Sequence, residues 1–146
     1  MLKKLLERLT QPATEPDPKH LVALAAAALL LEVSWADHEI TDTELGVIER
    51  ALRSQFAFDE REATELIEQS RRDHDQSVGL YGYTRVINEH WDEPARFELV
   101  LALWRLAMSD EELDRYEEHT IRKVAELLYL SHDRFIEAKL RARQSD

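Results

Sequence analysis

Two short stretches gather carboxylates where apolar helical runs meet: "SWADHEITDTE", residues 34 to 44, and "AMSDEELDRYE", residues 107 to 117. Asp37, Glu39 and Glu44 lie in the first, and a shift of 73 carries them onto Asp110, Glu112 and Glu117. Hard oxygen ligands of this kind suit Ca²⁺, Mg²⁺ or Mn²⁺ better than Zn²⁺. Two carboxylates ~5 Å apart repel by roughly 3 kcal/mol at an effective dielectric of 20, and a bound cation removes that cost. The spacing is not that of an EF-hand, because the loop lacks the glycine at position 6 and the glutamate at position 12.

The same residues have a structural reading. Thr41 and Glu44 are placed as a capping box, with the threonine accepting from the Glu44 amide and the glutamate reaching back. Asp114 and Glu117 repeat the device with aspartate as the cap, and acidic first turns suit the helix dipole. Ile40 and Leu45 can close a hydrophobic staple; the second copy offers Leu113 and Glu118, a poor pair. Asp37 and Asp110 fit this account less well. Each ends a helix, where the dipole disfavours a negative charge by ~0.3–1 kcal/mol and glycine or asparagine is usual. An Asx-type bond to the turn's own backbone is the benign explanation, and convergence on a cation is the other.

The elements that carry these turns are helical. Leu21 to Leu31 is apolar without a break, and the helix from about Lys19 to Ala36 reads as a buried core helix rich in alanine. Eleven apolar residues are well short of the ~20 needed to cross a bilayer. Further helices are predicted from Thr41 to Ser54, after a cap at Asp59, and from Ser77 or Tyr81 to Trp91. Three more are predicted from Ala95 to Met108, from Asp114 to Tyr129, and from Ser131 to Arg141. Residues 1 to 9 place Leu2, Leu5, Leu6 and Leu9 at helical spacing, which predicts a short docked helix; a membrane-surface anchor is the minor alternative. The Pro-rich stretch to residue 18 reads as a linker, leaving 19 to 142 as the domain. No segment alternates, so the expected class is all-α: one bundle of seven to eight helices holding two pseudo-repeated helix–acidic turn–helix units. Two copies are too few for a solenoid.

The bulk properties narrow the function. A formal charge of −11 argues against nucleic acid, which needs a basic face. With no cysteine, disulfides, thiolate metal sites and a cysteine nucleophile are excluded, which is compatible with the cytoplasm. The charges within residues 1 to 9 do not make a secretion signal. Among the histidines only His38 touches an acidic turn, where it reads as an exposed turn residue. "SHD" at 131 to 133 cannot form a triad from adjacent positions, and capping explains Ser131. Trp35, Trp91 and Trp104 lie in or beside apolar helices and read as core. No glycine loop able to cradle phosphate is present.

The stretches "LLLEVSWADHEITDTELGVIERAL" and "LVLALWRLAMSDEELDRYEEHTIRKVAELLYLS", with "YGYTRVINEHW" between them, resemble the tellurite-resistance protein B (TerB-like) family. The resemblance spans about Lys19 to Lys139. It implies a bundle of about seven helices with two pseudo-repeats, a link to tellurite resistance and stress, and membrane-associated protein partners. It brings no catalytic activity, and it maps an acidic metal patch onto Asp37, Glu44, Asp110 and Glu117. Where the family usually has glycine after the aspartate, this chain has His38 and Glu111. The expected function is a non-enzymatic, cytoplasmic interaction module holding a divalent cation. The alternative is a metal-dependent hydrolase built on the same carboxylates, with one of them or His38 as base.

Overall fold

The computed structural model describes residues 17–34, 40–73, 79–109 and 115–144, and within them the chain forms seven α-helices and no strand. They are α1 (Pro18–Ser34), α2 (Asp42–Phe56), α3 (Glu60–Asp73), α4 (Gly79–His90), α5 (Glu93–Ala107), α6 (Arg115–Leu127) and α7 (His132–Gln144). The all-α expectation is met. The helix expected over residues 1 to 9 lies outside the described residues.

α1 is the centre of the bundle. Alanine and leucine give it high helix propensity, and Pro18 stands in its first turn, where a missing N–H costs nothing. Asp17 caps it, its carboxylate accepting from the Lys19 amide at 3.1 Å. Residues 21 to 31 are buried on every face, and α1 packs against α2, α3, α4, α5 and α6. Ala23 and Ala25 to Ala28 have no exposure at all, so neighbouring helices approach close to the α1 backbone. No described helix is long and apolar enough to cross a membrane.

The other helices are set largely by local caps. At α2 both halves of the expected capping box form: Thr41 Oγ1 accepts from the Glu44 amide at 3.1 Å, and Glu44 Oε1 accepts from the Thr41 amide at 3.0 Å. Such a cap stabilises a helix by about 1 kcal/mol. Asp59 and Glu62 make the same box at α3 (2.8 and 3.1 Å), and Ser131 Oγ accepts from the Arg134 amide at α7 (3.2 Å). α5 starts two residues earlier than its hydrophobic pattern predicts, because Asp92 caps it by accepting from the Ala95 amide. The chain enters α4 at Gly79 with φ of +67°, which a side chain would strain.

α6 stops two residues earlier than predicted, and its end is fully satisfied. Tyr129 adopts the left-handed conformation, φ +59°, that glycine usually supplies. The Leu130 amide donates to Ala125 O (3.1 Å) and the Tyr129 amide to Glu126 O (3.0 Å), the paired bonds of a Schellman motif. The next two carbonyls are taken from other helices. Asn88 of α4 donates to Leu127 O at 2.9 Å, and Arg96 of α5 donates to Leu128 O at 2.6 Å.

α7 is fastened to α5. Trp104, with no exposure, packs against Phe135 with ring centroids 5.3 Å apart. Arg134 lies 3.7 Å from the Phe97 ring centroid and grips Glu93 through two bonds of 2.9 and 3.0 Å, while also reaching Glu137. The Arg134 hydrogen bond holds the Glu93 carboxyl below its ordinary range. A depressed folded-state value contributes stability that is present above the unfolded value near 4.3 and lost as pH falls through the folded one. Glu93→Gln is therefore expected to lower the urea midpoint at pH 7 and to draw level with the wild type as the pH falls through the depressed folded-state value. The gap should be small, since the side chain is 39% exposed and screened by solvent. An equal gap above and below the folded-state value would remove the ion pair from the account.

Candidate functional site

Of the six carboxylates expected to form the site, Glu44 and Glu117 are placed, whereas Asp37, Glu39, Asp110 and Glu112 lie outside the described residues. His38, Glu111 and Asp114 lie outside them too, so the second capping box is not described. α1 and α5 end at Ser34 and Ala107, and α2 and α6 begin at Asp42 and Arg115; both separations are 73 residues. Among the described residues no three acidic or histidine side chains gather as a metal cluster.

Glu44 and Glu117 are each the third residue of their helix, and both are buried, with 0% and 1% exposure. Capping-box glutamates usually face water, so complete burial at both positions is the informative observation. Each continues a core stripe. Glu44 precedes Ile48 and Leu52 at four-residue intervals, and Glu117 precedes Ile121 and Ala125 likewise. That periodicity was the signal in the sequence for their burial. The outer oxygen of each, Oε2, is sealed from solvent.

A carboxylate taken out of water must be compensated by hydrogen bonds, an opposite charge or a metal. For Glu44, part of the compensation is the Thr41 amide at 3.0 Å together with the positive end of the α2 dipole. Ser34 adds a further buried oxygen. It is the last residue of α1, it has no exposure, and its Oγ has no hydrogen-bond partner among the described residues.

The other polar features are structural. Trp104 is core, and Trp91 stacks on Phe56 with centroids 5.4 Å apart, at the edge of the core. Ser131 serves as a cap, with His132 and Asp133 exposed beside it.

The arrangement is an all-α bundle in which two helices each carry a buried glutamate in their first turn. The family model described as Tellurite resistance protein TerB matches residues 23–140, and the chain belongs to that family. No curated protein and no solved structure matches the chain.

Proposed function

We propose that the chain is a non-enzymatic interaction module of the tellurite-resistance type, working in the cytoplasm with a membrane-associated protein partner. In this reading it binds a divalent cation, Ca²⁺, Mg²⁺ or Mn²⁺, through Asp37, Glu39 and Glu44 of the first acidic turn and Asp110, Glu112 and Glu117 of the second. The module comprises residues 19 to 142, preceded in residues 1 to 18 by a short N-terminal helix and a Pro-rich linker. The burial of both Glu44 and Glu117 carries the reading. The two are buried at matched positions, 73 residues apart, and carboxylate oxygens are the ligands these cations prefer. Family membership supports the tellurite-resistance setting.

Calorimetry and thermal melts with Ca²⁺, Mg²⁺, Mn²⁺ and Zn²⁺ test it. At 100 times Kd the preferred ion should stabilise the fold by ~2.7 kcal/mol. The Asp37→Asn, Asp110→Asn double variant should lose that response while keeping its helical circular dichroism. A flat titration of the wild type with every ion leaves only a scaffold.

A further inference from the structure

We infer that the groove between α2 and α5 is a binding site for a small amphiphilic anion: a carboxylate or phosphate head on a short apolar body. The groove is a cavity of about 570 Å³, within the range of ~300–1,000 Å³ typical of small-molecule sites. Val47 and Ala51 of α2 face it from one wall, Ala102 and Met108 from the α5 side, and Ala142 of α7 closes it. This surface suits an alkyl or aryl body.

The polar groups specify the head. Arg50 and Arg105 line the same cavity from opposite helices, in a chain whose net charge is −11. Arg50 is exposed and has no ion pair or hydrogen bond among the described residues. Arg105 is engaged within the protein, so Arg50 is the arginine offered to a ligand and Arg105 adds positive charge to the same lining. Paired planar guanidinium groups match the geometry of carboxylate and phosphate oxygens. Glu98 is the one carboxylate of the lining among the described residues. It lies two turns from Arg105 along α5, about 10 Å by helix rise.

The site does not depend on the cation reading, and its test contains no metal. Octanoate, octyl phosphate, octanol and octylamine are titrated into the full chain by calorimetry and followed in amide spectra. The two anions should bind and move the Val47, Ala51 and Ala102 signals, and the better of them names the head group. Octanol and octylamine should bind at least about tenfold more weakly. Arg50→Gln, a change at an exposed position, should weaken anion binding about tenfold, the scale of one charge-assisted hydrogen bond, and leave octanol unchanged. Octanol binding as tightly as octanoate, an unaltered Arg50→Gln, shifts at another surface, or no binding of either anion would each overturn the assignment.

Discussion

Trp104→Ala is expected to destabilise the protein by about 3–5 kcal/mol, measured as the shift in a urea unfolding curve at neutral pH. The indole sits in the last turn of α5 with no exposure and packs on Phe135, and the Lys139 ammonium lies 5.2 Å from its ring centroid. Truncation removes one of the contacts that join α5 to α7 and leaves a hole bounded by helices that cannot all move in. Trp104→Phe, which keeps most of the volume, should cost distinctly less. A loss below about 1 kcal/mol for the alanine variant would mean that α7 is not held by this contact.

A carboxylate placed inside α1 should be as damaging. Ala26 has no exposure and lies midway along a helix covered by five others. Ala26→Asp puts a charge there without a partner. About 3–5 kcal/mol is the scale for an uncompensated buried charge, against a total stability of about 5–15 kcal/mol for a domain. Its thermal transition by circular dichroism should fall well below that of the wild type. Ala26→Ser, which adds a hydroxyl able to bond the preceding turn, should stay folded. Wild-type melting of the aspartate variant would show that α1 has a free face, and the central position assigned to it would fail.

What could be read from the chain depended on how far apart the interacting residues are. The caps at Thr41, Asp59 and Ser131 were legible because each bond spans three positions. The core role of α1 was legible because eleven successive apolar residues leave no polar face. The clamp on the end of α6 was not, since Asn88 and Arg96 reach carbonyls 39 and 32 residues away. Tyr129 gave no sign of its left-handed backbone, because composition points to glycine at such a place. The Arg50 and Arg105 groove was hidden for the same reason as the clamp. Neither arginine belongs to a motif, and only the packing of α2 on α5 sets them around one cavity.

The central helix also has a mechanical meaning. α1 is a stiff rod about 25 Å long whose carboxyl end leads straight into the first acidic segment. Gripped on all sides, it cannot bend locally to absorb a push at Ser34, so any displacement there is passed to its five neighbours together. Occupancy of that end would register as a change in the rigidity of the whole body, legible to a partner touching a remote surface.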